Sequence, residues 1–168
     1  MKSERYLEWI CAGVTDTLGV PAGYSVYNEI MIPLPTSGTE IMALLLHEVD
    51  FIVAGAEFGV DTQMSSNGVY LTKSHHTAPV NNNLADPDLI AMFMEHATIN
   101  QVAGAGQLLW WDGIPVWRFS PPILIARDAV YFANRTFSQA AANTVASVRL
   151  GYTLEKVSRE AFIAALVG

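Results

Sequence analysis

The sequence predicts an all-β fold, a β-sandwich or barrel of about eight strands with short N-terminal, middle and C-terminal helices. Three observations predict it. Apolar and polar residues alternate over much of the chain, these stretches are rich in β-branched and aromatic residues, and turn signals separate them at near-regular spacing. The 168 residues fit a single β-sandwich domain spanning 1–168.

Residues 1–19 are predicted to form an N-terminal helix that ends at Gly19. Its apolar stripe consists of Leu7, Ile10, Cys11, Val14 and Leu18, which recur at spacings of three and four. On this stripe Cys11, the one cysteine, is expected to be a small core residue rather than a nucleophile.

Strands are predicted in two groups. The first comprises AGYSVYNEIMIPLP, EIMALLLHEVDFIVAG and, after the turn signal Asn67-Gly68, NGVYLTKSHH. The second begins near Gly106 and comprises QLLWW, IPVWRF, ILIA, AVYFANRTF and TVASVRLGYTLEKV.

Two more helices are predicted from their start signals. Residues 87–97 place Leu89, Met92, Phe93 and His96 on a helical stripe. A strand is the alternative for this segment, and Pro87 favours the helix because proline is common at a helix start. Residues 158–167 form a C-terminal helix capped by Ser158, with Glu160 in the first turn, where the helix dipole favours a carboxylate.

The stretch QLLWWDGIPVWRFSPP contains three of the four tryptophans and a strong hairpin signal. Asp112 and Gly113 are predicted to form the hairpin turn, because a type I′ turn needs positive φ at both central residues. In that hairpin one face carries Leu109, Trp111, Ile114 and Val116, and the other carries Leu108, Trp110, Pro115, Trp117 and Phe119. Both faces are apolar, and Pro115 favours an edge strand because it lacks an N–H.

An edge hairpin with two apolar faces needs a cover on the side that the core does not bury. We therefore predict that Trp110, Pro115, Trp117 and Phe119 form an interface with another subunit. The alternative is a carbohydrate- or receptor-binding module in which exposed tryptophans stack on sugar rings.

The charge pattern excludes some partners. The net charge is −7, and nine basic residues are scattered without a cluster, so direct nucleic-acid binding is not expected. The sequence contains no stretch of about 18 uninterrupted apolar residues, so no membrane-spanning helix is predicted. With 51% hydrophobic and only 15% charged residues, the composition favours an oligomer whose surface is partly covered.

The four histidines, at positions 47, 75, 76 and 96, match no usual metal-ligand spacing, so no metal or other cofactor is predicted. No nucleophile elbow or phosphate-binding glycine loop occurs either. An enzyme is not expected. After the subunit with an apolar interface and the sugar-binding module, a metal-dependent enzyme that uses these histidines is the third hypothesis.

The C-terminal half, PPILIARDAVYFANRTFSQAAANTVASVRLGYTLEKVSREAFIAAL, resembles the closing strands of small viral structural proteins. MALLLHEVDFIV is similar to an early strand of such proteins. The chain thus resembles the single-jelly-roll capsid subunits of icosahedral viruses with an internal membrane. The resemblance implies a jelly roll, a capsid role with like or unlike subunits as partners, and a location in the virion after synthesis in the host cytoplasm.

Overall fold

The computed structural model describes residues 7–16, 25–34, 40–54, 64–75, 86–100, 105–113, 115–136 and 144–167. These residues form nine strands and one helix. The strands are β1 (Glu8–Asp16), β2 (Ser25–Met31), β3 (Met42–Ala54), β4 (Met64–Thr72), β5 (Leu89–Asn100), β6 (Ala105–Gly113), β7 (Val116–Ile125), β8 (Ala129–Thr136) and β9 (Thr144–Lys156), and the helix is α1 (Arg159–Val167).

The described strands make two antiparallel sheets, with the orders β1-β9-β3-β7 and β2-β8-β4-β5-β6. Their pairing is nested: β1 pairs with β9, β2 with β8, β3 with β7, and β4 with β5. This is one long antiparallel ribbon folded over so that successive strand pairs fall in alternate sheets, which is the jelly-roll arrangement. The predicted all-β, jelly-roll-like sandwich is confirmed, with β6 added beyond β5.

The core lies between the two sheets and follows the period-two alternation. Phe51 of β3 stacks on Phe132 of β8 across the sandwich, with ring centroids 6.2 Å apart. A register shift between Leu46 and Glu48 marks a bulge in β3. The bulge lets Leu44 and Leu46 before it and Val49 and Phe51 after it all join the same core.

The predicted N-terminal helix is wrong over the described residues 7–16, because residues 8–16 form β1. Ile10 and Ala12 pack against the core at strand spacing, and the same sequence also fits helical spacing. The neighbouring strand decides between the two patterns. β1 pairs with β9 along its whole length, from Glu8 opposite Tyr152 to Asp16 opposite Thr144.

The predicted middle helix is also wrong, because residues 89–100 form β5. Five consecutive side chains, Ile90 to Met94, are buried, which is typical of a strand covered on both faces. The residues around Pro87 that resemble a helix start form a turn instead. The Asp86 side chain accepts a hydrogen bond from the backbone N–H of Asp88, 2.9 Å away. It therefore orders a turn before a strand.

The C-terminal helix is confirmed as α1, which follows Ser158 directly. The Ser158 hydroxyl accepts a hydrogen bond from the backbone N–H of Ala161 at 3.1 Å, as predicted for an N-cap. No residue of α1 is buried, and Ile163, Leu166 and Val167 are exposed.

Candidate assembly surface

The predicted hairpin turn at Asp112-Gly113 is wrong. Both residues lie in β6, where Asp112 pairs with Met94 and Gly113 with Phe93 of β5. β6 and β7 do not pair with each other. Each is an edge strand of a different sheet, so the chain crosses from one sheet to the other after Gly113. Their side chains therefore do not share the two faces that a hairpin would give them.

Trp117 and Phe119 pack against the core. Their rings stack on each other with centroids 6.5 Å apart, and the Trp117 indole N–H donates to the carbonyl oxygen of Met92 at 2.9 Å. These half-buried rings turn toward the core, whereas the predicted interface needed them to face outward. Pro115 is exposed, as the prediction requires, whereas Trp110 lies in β6 with its side chain outside the described part.

The outer face of the sheet β1-β9-β3-β7 carries exposed apolar side chains around two ion pairs. We call this surface the outer-sheet patch. It consists of Trp9, Glu48, Asp50, Ile52, Val116, Arg118 and Arg149. Strand register brings these residues together: Glu48 stands opposite Arg118, and Asp50 stands opposite both Val116 and Arg149.

The charges of the patch are neutralised within it. Arg118 Nε donates to Glu48 Oε2 at 2.9 Å, and Arg149 donates to Asp50 Oδ2 through Nε at 2.9 Å and through Nη2. The hydrogen bond to Glu48 raises the pKa of Arg118, and the hydrogen bond to Asp50 raises the pKa of Arg149. Asp50 is almost completely buried, so its carboxylate depends on this partner.

Trp9 lies over Gly151, where the absence of a side chain makes room for its ring. A Cβ added at Gly151 would stand 2.9 Å from Cη2 of Trp9. The Arg149 guanidinium also contacts the Trp9 ring, 4.4 Å from its centroid, in a cation–π interaction. Cys11, which the helical stripe places in the core, is exposed on β1 opposite Arg149.

The described histidines have separate structural partners. A ring nitrogen of His47 lies 3.0 Å from the Thr153 hydroxyl, and His75 packs edge-on against Tyr131. Over the described ranges, no group of three or more His, Cys, Asp or Glu side chains has a geometry that could hold a metal ion. The described residues contain no helix with the length and apolar character that a membrane crossing requires.

No protein-family model matches this chain, and no curated protein matches it. Among solved structures, it is similar to a chain titled Desmodium yellow mottle tymovirus, at 11% sequence identity and a TM-score of 0.23. The match covers 92% of this chain and 87% of that one. At this TM-score the fold rests on the strand pairing described above and not on the similarity.

Sequence reasoning missed the patch because its members come from four strands. In β3, Glu48, Asp50 and Ile52 alternate in the sequence with Val49 and Phe51, and the structure places the two sets on opposite faces. That signal could have pointed to the outer face. Trp9 could not be assigned to this face from the sequence, because the sequence of β1 also fits a helix. The partners of Glu48 and Asp50 could not be predicted either, because they depend on strand register, which the sequence does not show.

Proposed function

We propose that this protein is a structural subunit of a virion, which assembles with further copies of itself through the outer-sheet patch. The observation that carries the proposal is an exposed apolar surface on one sheet face, with Trp9, Ile52 and Val116 surrounding charges that are already paired. Exposed apolar patches of this kind are typical of surfaces that other proteins cover.

The charge arrangement favours a second copy as the occupant. The chain carries a net charge of −7, so two copies repel each other over most of their surfaces. The patch holds two cations and two carboxylates in two ion pairs. Two such faces therefore meet without like-charge repulsion, and the apolar side chains supply the attraction.

The jelly roll and the low content of charged residues, 15%, support a role in a shell, in which each subunit buries large surfaces against its neighbours. A sugar-binding role gains no support from Trp117, because its ring packs against the core. The interface first predicted around Trp110 and Pro115 remains a second candidate surface.

The test is Ile52→Asp, with Met31→Asp as the matched control. The two side chains are equally exposed, at 63% and 62%, and Met31 lies on β2 in the other sheet. We expect Ile52→Asp to weaken self-association roughly tenfold or more, because it places an unpaired carboxylate in an apolar contact. Sedimentation velocity over a concentration series measures this, and electron microscopy shows whether shells form.

Met31→Asp is expected to assemble like the wild type. A wild-type protein that stays monomeric at the highest concentrations contradicts the proposal. Equal losses in both variants contradict the assignment of the patch, since a general effect of added charge would then explain them.

A further inference from the structure

A cleft opens at the end of the sandwich where β2 and β4 end and β7 leads into β8. Its volume is about 520 Å³, within the range of small-molecule sites. Lys73, His75, Arg127 and Tyr131 line one side, and α1 contributes Phe162 and Leu166 on the other. The cleft shares no residue with the outer-sheet patch, so its chemistry is independent of the assembly role.

The cleft concentrates positive charge in an acidic protein. Lys73 and Arg127 are two of only nine basic residues, in a chain with sixteen acidic ones. One carboxylate, that of Asp128, also lines the cleft and is exposed to solvent. A second carboxylate, that of Asp88, accepts from the lining residue Ser74, so the charges at the cleft balance, against −7 for the whole chain. An anion therefore meets less repulsion here than over the rest of the surface.

Arg127 carries hydrogen-bond donors that the described residues do not satisfy. Its Nε is buried and has no hydrogen-bond partner among them. Its Nη1 reaches only the carbonyl oxygen of Lys73, at the long distance of 3.5 Å. A guanidinium presents its donors as a planar fork that matches two oxygens of a carboxylate or phosphate. Nε is closed to solvent, so an oxyanion in the cleft would be held by the outer nitrogens of this guanidinium.

Apart from Ser74 and His75, the rest of the lining is apolar. Leu34, Phe162 and Leu166 face the cleft together with the Tyr131 ring. Phe162 and Leu166 belong to a helix that has no buried residue, so their surface is only partly covered by the protein itself. An aliphatic or aromatic group in the cleft would bury it.

We propose that this cleft binds a small amphipathic oxyanion, with its carboxylate or phosphate at Arg127 and its apolar body against Phe162 and Leu166. The two halves of the cleft require both parts of such a ligand. An anion alone leaves the apolar side exposed, and a neutral apolar molecule gives the outer donors of Arg127 no further acceptor.

Calorimetric titration of the full chain with four probes tests the ligand class. Octanoate and octyl phosphate carry both parts, acetate carries only the oxyanion, and octan-1-ol only the apolar chain. We expect the two amphipathic probes to bind roughly tenfold or more tightly than either partial probe. Equal binding of octanoate and octan-1-ol, or of octanoate and acetate, would overturn the proposal. If only one of the two amphipathic probes binds, it identifies the headgroup as carboxylate or phosphate and upholds the proposal.

Three variants test the location. Arg127→Gln is expected to weaken octanoate binding roughly tenfold, and Leu166→Ser to weaken it less, because Leu166 is already 41% exposed. Lys156→Gln, at the end of β9 and outside both the cleft and the outer-sheet patch, is the control that removes one positive charge and is expected to bind like the wild type. Thermal melts verify that each variant is folded. A folded Arg127→Gln protein with wild-type affinity, or an equal loss in Lys156→Gln, would overturn the assignment.

Discussion

Two Gly-containing pairs that signal turns in the sequence lie inside strands. Asn67-Gly68 is in β4 and Asp112-Gly113 is in β6. At Gly68 the reason is packing: a Cβ there would stand 2.5 Å from the hydroxyl oxygen of the fully buried Tyr70. The glycine makes room for a ring two residues further along the same face of the strand. Close approach of another group is a common reason for a glycine inside a strand.

Gly68→Ala and Gly151→Ala are expected to differ in stability although both place a Cβ against an aromatic ring. Tyr70 is fully buried and cannot move aside, so Gly68→Ala should cost about 1–3 kcal/mol of unfolding free energy. Trp9 is 42% exposed and can swing outward, so Gly151→Ala should cost less than about 0.5 kcal/mol. Urea unfolding measures both, and a larger loss for Gly151→Ala contradicts this explanation.

Trp117 connects the two sheets on the side where the chain crosses between them. Its indole donates to Met92 of β5 from a strand of the other sheet, and its ring touches both clusters of core residues. Met92 lies next to Phe93, whose pair with Gly113 is the last that the described residues of β5 and β6 form. A side-chain donor therefore links the two sheets at this end of the described ladder between β5 and β6.

Trp117→Phe is expected to lower the unfolding free energy by about 1–3 kcal/mol, because it removes the donor to Met92 and part of the ring. Trp9→Phe is the control: Trp9 lies on the outer face, and its replacement keeps a ring for Arg149. We expect a loss within about 0.5 kcal/mol for the control. Chemical denaturation compares the two, and equal losses would show that the bond to Met92 contributes little.

At the scale of elements, α1 depends on local interactions because none of its residues is buried. Its first turn is stabilised by Ser158, whose hydroxyl accepts from the Ala161 N–H. A hydrogen bond from its own backbone N–H, and another from Ser158, lower the pKa of Glu160 below its usual 4.5. Since the folded pKa is the lower one, this stabilisation is fully present above pH 4.5 and is lost as the pH falls through the lowered value.

Ser158→Ala is expected to fray α1 and to return the pKa of Glu160 toward its usual value, while Ser158→Thr keeps the cap. Hydrogen exchange of the α1 amides should accelerate several-fold, since a lost cap costs the helix about 1 kcal/mol. The denaturation midpoint of the sandwich should not change. An NMR titration of Glu160 reports the pKa, and an unchanged value in Ser158→Ala contradicts the role of that hydroxyl.

β1 and β5 show why element type could not always be predicted. In β1 the helical and strand patterns share Ile10. Only the backbone pairing with β9, on the side of β9 away from β3, favours the strand. In β5 the continuous apolar run from Ile90 to Met94 reflects burial on both faces, which periodicity cannot distinguish from a helix. By contrast, β3 alternates clearly from Glu48 onward, so the sequence separates its two faces.

At the scale of the whole molecule, the net charge of −7 opposes association while the neutral outer-sheet patch favours it. Salt screens charges that are farther apart than about 8 Å at physiological ionic strength, and it leaves apolar contacts intact. Self-association should therefore strengthen between about 0.02 M and 0.5 M NaCl. Sedimentation velocity at the two salt concentrations checks this, and dissociation at high salt would show that ion pairs between copies hold the assembly.

The sequence alone determined the all-β class, the two faces of β3 and the capped helix α1, because these depend on neighbours within a few residues. Tertiary structure decided what depends on distant partners. Asp50 pairs with Arg149, which lies 99 residues further along the chain. β6 and β7 belong to different sheets despite the strong turn signal between them. The physical reason is that a strand satisfies its backbone only through another strand, so its pairing is chosen by the whole fold.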